Sequence, residues 1–201
     1  MNKLNRKFYL DDTEIVAKNL LGKYIVREYD NKKIVCKIVE TEAYKTQGDK
    51  AAHANNNKLT ERTKIIFEEG GHSYIYLIYG MYYCFNVVGG PKGGGGAVLV
   101  RAVEPIEGTE YMMINRFKGI NNKKIKDLTN GPGKLCIAMN INKNLYGEDL
   151  CASSSIYIIE GENVEEKDIV HSKRINIDYA EEAKDFLWRY YIRGNNYVSK
   201  K

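Results

Sequence analysis

No apolar run in this sequence approaches the roughly 20 residues of a membrane-spanning helix, which excludes a helical membrane protein. The opening stretch MNKLNRKFYLDD lacks the apolar segment of a secretory signal, so a cytoplasmic location away from membranes is expected. Cysteine pairs are missing too. Cys36, Cys84, Cys136 and Cys151 are dispersed with no C-x-x-C spacing, and free buried thiols are expected rather than disulfides. His53, His72 and His171 do not combine with them at ligand spacing, so neither a structural zinc nor any other cofactor is expected. Repeats and long linkers are absent, and residues 1–201 read as a single domain. The glycine-rich run 89–96 has no Gly-Lys-Ser/Thr opening a helix. A strand follows it, so it reads as a hairpin loop and not a phosphate cradle.

What is present fits a soluble globular chain: 43% apolar residues, too many for disorder, and 28% charged residues. The net charge of +5 points only weakly to an anionic partner. Its distribution says more. Residues 111–126 hold Arg116, Lys118, Lys123, Lys124 and Lys126 and no acid before Asp127, which suits either a phosphate-contacting patch or a solvated face. Aromatic usage is lopsided, with 16 Tyr against 5 Phe and 1 Trp. Tyrosine joins a flat apolar face to a polar tip, as a wet surface that stacks on planar ligands requires.

Patterning predicts a mixed α+β fold, with a mostly antiparallel, curved sheet and flanking helices. A helix is expected from Thr13 to Leu21, closed by Gly22. Strands over 23–29 and 33–40 flank Asp30-Asn31 as a hairpin. A helix capped by Thr60 is expected to run to Glu69. Two tyrosine-rich strands bend at Gly80, and a buried strand covers 97–103. Helices over 106–118 and after Gly131-Pro132-Gly133 precede strands at 155–159, 174–177 and 188–192.

Several residues stand out chemically. Glu40 and Glu42 lie two apart at the end of an apolar strand, so period 2 puts them on one face and Thr41 on the other. Such a pair can act as general acid and base, as in glycoside cleavage. An acidic strand end paired with lysine has the same pattern. Five tyrosines fall within residues 74–83, and Tyr79 precedes the expected bend at Gly80. An aromatic projecting beside a turn can wedge into stacked bases, although tyrosine is also an ordinary strand residue. Arg101 interrupts an apolar strand and needs an anionic partner, either a structural acid such as Glu104 or a functional group. His53 can stack on and hydrogen-bond a planar ligand, or serve the structure.

At these residues the sequence resembles the alkyladenine (3-methyladenine) DNA glycosylase family. The likeness runs through nearly the whole chain. It is carried by IVETEAY (38–44), DKAAH (49–53), YIYLIYGMYYCFNV (74–87), LVRAVEPIEG (99–108) and NGPGKLCIAMNI (130–141). The resemblance implies a monofunctional repair enzyme, without cofactor, that flips damaged purines from double-stranded DNA and hydrolyses the N-glycosidic bond. It further implies Glu42 as the base that activates water, with Arg101 and the Ile175 carbonyl holding that water. Tyr44, His53 and Tyr76 become the walls of the base pocket, and Asn86 its floor. Tyr79, with Gly80 and Met81 beside it, becomes the wedge that fills the gap in the duplex. Lys123, Lys124 and Lys126 are expected on the DNA backbone, and the protein is expected to work as a monomer. The family pattern usually has glycine at Asn176 and a small residue at Glu181. Asparagine tolerates left-handed backbone angles, so the turn can survive there. Two other functions fit some of these residues: a non-catalytic nucleic-acid binder, and a carbohydrate glycosidase built on Glu40 and Glu42.

Overall fold

The structure is a computed structural model that describes residues 2–118 and 124–201. Lys123 lies outside the described residues. In chain order the main elements are α1 (Thr13–Asn19), β1 (Tyr24–Tyr29), β2 (Lys32–Lys45), β3 (Ser73–Ile78), β4 (Tyr82–Gly89) and β5 (Gly96–Glu107). They continue with α2 (Thr109–Phe117), α3 (Pro132–Ala138), β6 (Ile156–Ile159), β7 (Ile169–Ser172) and β8 (Arg189–Ile192). The fold is α+β, built on one eight-stranded antiparallel sheet among the described residues.

β2 is the spine of that sheet. Asp30 and Asn31 take left-handed φ values of 48° and 57°, the two-residue turn whose twist suits a hairpin. β1 therefore pairs with the first half of β2, and β8 takes over the same edge at Glu40–Glu42. β5 follows the opposite edge, with irregular register around Glu40. Gly96 allows the closest approach, since a Cβ there would stand 2.1 Å from the Tyr44 carbonyl oxygen. The glycine run closes the β4–β5 hairpin, as expected.

The helices are too short to persist alone, because isolated helices below roughly 12 residues are marginal in water. Asp12 caps α1 through the Glu14 N–H at 2.9 Å, and packing supplies the rest. α1 lies on β2, β4 and β5, while α3 lies on β4, β5 and α2. One core unites Val16, Ala17 and Leu20 with Ile38, Phe85, Val100, Leu135 and Met139. Fully burying such aliphatic side chains stabilises by about 1.5–3 kcal/mol each. Among the described residues, no helix is long and apolar enough to cross a membrane. The four cysteines are free, and three of them are buried.

Three expectations differ from the structure. Residues 60–69 form turns and a short 3-10 segment, Lys64–Phe67, not a helix. Thr60 does accept from the Thr63 N–H at 3.2 Å and Thr63 from the Thr60 N–H at 2.9 Å, as a cap would, but only turns and the short 3-10 segment follow. Residues 174–177 form a bend and not a strand. There Asn176 turns left-handed at φ 60°. The helix expected over 106–118 begins only at Thr109, because β5 runs on to Glu107; β7, which carries no strong alternation in sequence, pairs along β8.

Candidate active site

Glu42 sits in mid-strand with its backbone paired to Leu99 on one side and Arg189 on the other. Thr41 points the opposite way and donates to the Ala17 carbonyl at 2.8 Å. The Glu42 side chain is fully buried and accepts three hydrogen bonds. The Tyr44 hydroxyl donates to Oε2 at 2.7 Å, Arg101 Nη1 to the same oxygen at 3.1 Å, and the Ile175 N–H to Oε1 at 2.8 Å. Burial, then the Glu42 charge, holds the Tyr44 phenol well above its ordinary pKa, so it stays a donor.

Arg101 bridges both acids, lying 3.3 Å from Glu40 through Nε. Its ionic partners are thus Glu40 and Glu42, whereas Glu104 pairs with Lys37. Burial works against the Arg101 charge. The Glu42 and Glu40 carboxylates more than offset that and raise its pKa. Glu40 is sealed inside the fold and also accepts from Arg189 Nη1 at 2.8 Å.

Tyr44, Arg101 and Ile175, the three residues that bond Glu42, all line a cavity of about 380 Å³. That volume lies within the usual range for small-molecule sites. His53, Tyr74, Tyr76, Tyr79, Asn86 and Tyr179 line it too. Tyr76 meets His53 edge-on, with ring centroids 4.6 Å apart. His53 Nδ1 lies 2.8 Å from the Tyr74 hydroxyl, and Arg62 Nη2 approaches Nε2 at 3.0 Å. Partial burial, then the Arg62 charge, lowers the His53 pKa to about 4, so the ring is neutral at pH 7. Asn86 is buried and anchored through its amide, which donates to the Tyr74 carbonyl at 3.0 Å.

At the mouth, Tyr79 and Gly80 form the β3–β4 turn with φ values of 53° and 68°. A bulky residue in that region is strained, and such strain clusters at functional positions. Tyr79 is nevertheless 71% exposed, and Met81 is 65% exposed. Lys124 and Lys126 are exposed on the segment leading to α3, whose Pro132 and Gly133 line the cavity. Arg116 is tied inward to the Leu128 carbonyl and over the Phe117 ring.

The bend that delivers Ile175 is fixed by a neighbour the sequence did not single out. Arg174 is buried against Asp49, with contacts of 2.6 and 2.8 Å. Its guanidinium lies over the Tyr44 ring at 4.6 Å and the Trp188 ring at 5.1 Å. Arg62, Tyr179 and Arg189 were likewise missed, and Tyr74 was noticed only as one of the clustered tyrosines. Of the three missed, only Arg189 left a signal, the same one as Arg101: a cation inside a strand.

A buried carboxylate held by three residues that line an aromatic cavity, with a strained tyrosine beside it, suits a protein that handles a flat ligand. Residues 7–196 match the family model of methylpurine-DNA glycosylase, and the chain belongs to that family. It is 56% identical to a protein of Clostridium novyi (strain NT), with all of both chains covered. It is 51% identical to one of Desulfitobacterium hafniense (strain Y51), again with all of both chains covered. It is also 51% identical to one of Alkaliphilus oremlandii (strain OhILAs), covering 99% of this chain and 100% of that one. All three relatives carry the name "Putative 3-methyladenine DNA glycosylase".

Proposed function

We propose that this protein is a cytoplasmic, monofunctional DNA glycosylase. It flips an alkylated purine such as 3-methyladenine out of duplex DNA and hydrolyses the N-glycosidic bond, leaving an abasic site. The observation that carries this reading is the set of bonds on Glu42. An ionised carboxylate offers about four acceptor positions. Three are filled by Tyr44, Arg101 and Ile175. The fourth, on Oε1, is assigned to a water.

In this reading Glu42 takes a proton from that water as its oxygen bonds to the sugar C1′. The C1′–N bond breaks, and its electron pair neutralises the positive charge that alkylation places on the purine. A cationic leaving base needs no acid, so one carboxylate suffices. The Glu42 charge also stabilises the positive charge that develops on the sugar. Tyr44 and Tyr76 favour a cationic base through their ring faces, while neutral His53 adds no repulsion. Asn86 on the pocket floor obstructs the 2-amino group of ordinary guanine. Tyr79 fills the gap left in the stack, because an enzyme acting on a base must first extract it. Lys124 and Lys126 contact phosphates.

The rival functions are less well supported. A pure binder has no use for a carboxylate held by three donors beside its pocket. A glycosidase needs two carboxyl groups free to act, and Glu40 is committed to Arg101, Arg189 and Ser199. The test is incubation of the protein with methylated duplex DNA in chelator, with the released bases resolved by chromatography. Free 3-methyladenine is the expected product; no release of any alkylated purine overturns the proposal.

A further inference from the structure

We infer that Glu40 and Arg189 are positioning residues that keep Arg101 single-pronged on Glu42 and so leave one acceptor position on Glu42 Oε1 unfilled. This inference rests on the reading of Glu42 as the base.

The geometry is a closed circuit. Arg101 Nη1 donates to Glu42 Oε2 at 3.1 Å, while its Nε lies 3.3 Å from Glu40 Oε1 as an ion-pair contact without hydrogen-bond geometry. Arg189 Nη1 donates to that same Glu40 oxygen at 2.8 Å, and its Nε to the Lys173 carbonyl at 3.0 Å. Two residues on, the Ile175 N–H returns to Glu42 Oε1 at 2.8 Å. Ser199 closes the far side, its N–H and hydroxyl donating to Glu40 at 2.6 and 2.9 Å. Two acids and two arginines make the enclosed group neutral overall, as burial demands.

Arginine left alone with one carboxylate prefers the two-pronged fork, which is the stronger arrangement. Glu40 prevents it by its charge, which attracts the Nε side of the guanidinium away from Glu42. Without that competitor, Arg101 rotates, forks onto both Glu42 oxygens and occupies the position a water needs. Arg189 holds Glu40 in place and ties it to the bend carrying Ile175. Glu40 therefore never touches substrate; it acts through Arg101.

The test is single-turnover base release with saturating protein, alongside the dissociation constant for the same lesion duplex. Glu40→Gln should slow release on the order of tenfold or more, with duplex affinity within about twofold of the parent. In an Arg101→Lys background the added Glu40→Gln change should cost little, since lysine cannot form a fork. Ser199→Ala removes one bond to Glu40 and should slow release a few-fold without weakening binding. It decides the matter if Glu40→Gln does not fold. A parental rate for both variants, or the same loss from Glu40→Gln in either background, overturns the inference while leaving Glu42 as the base. No release by the parent protein overturns the reading of Glu42 itself, a result visible before any variant is compared.

Discussion

Replacing Asp49 with alanine strips the partner from a fully buried guanidinium. Asp49 accepts two bonds from Arg174 and one each from the Lys45 and Ala51 N–H groups. Arg174 keeps the Ala43 and Ala183 carbonyls and the flanking rings of Tyr44 and Trp188, but no anion. Breaking a buried pair from one side costs about 3–5 kcal/mol. At roughly 2–4 °C per kcal/mol for a domain of this size, a midpoint of that cost lowers Tm by about 8–16 °C. The double variant Asp49→Ala/Arg174→Met removes the stranded charge and puts an apolar chain between the same rings, so it should recover several degrees. Thermal unfolding followed by circular dichroism reads both. A drop below about 3 °C for the single variant, or no recovery in the double, refutes the reasoning.

Tyr79→Ala should weaken binding to lesion-containing duplex while leaving Tm unchanged or slightly raised, because it removes an exposed, strained residue; unchanged affinity measured by fluorescence anisotropy removes the wedge. The His53 pKa of about 4 lies below the ordinary 6.5, so as pH falls the unfolded chain takes the proton first. Its contribution to stability is complete above about 6.5 and is lost as pH falls through about 4. An NMR titration should place the imidazole near 4, and a midpoint near 6.5 contradicts the pocket described. Lys124→Ala/Lys126→Ala should lower the slope of log affinity against log salt by about two; an unchanged slope makes these lysines a solvated face.

The parts of the fold legible in the sequence are those whose signal is local. Asp30-Asn31 announces its own turn, and β1, β3 and β4 are legible as short apolar, β-branched and aromatic runs, which the sheet buries over several consecutive residues. Residues 174–177 misled because Arg-Ile-Asn-Ile alternates like a strand. Its polar members go elsewhere: Arg174 inward to Asp49, and Asn176 into a left-handed turn. The Ile175 N–H then serves Glu42 and not a ladder. Thr60 does cap the Thr63 N–H, but the turn it opens ends in a short 3-10 segment. The candidate site divides the same way. Glu42, Tyr44 and Arg101 are conspicuous by type and place within strands. Arg189 and Ser199 meet Glu40 across separations of 149 and 159 residues, which no local pattern encodes.

The most direct test of the account is single-turnover release of 3-methyladenine from a defined duplex by Glu42→Gln. That change keeps the side-chain volume and removes the base, although its amide nitrogen must face one of the donors on Glu42, so thermal unfolding is recorded beside it. General-base catalysis is worth about 10²–10⁴-fold, so release should fall by at least two orders of magnitude while lesion binding persists. Release within a few-fold of the parent rate contradicts the account.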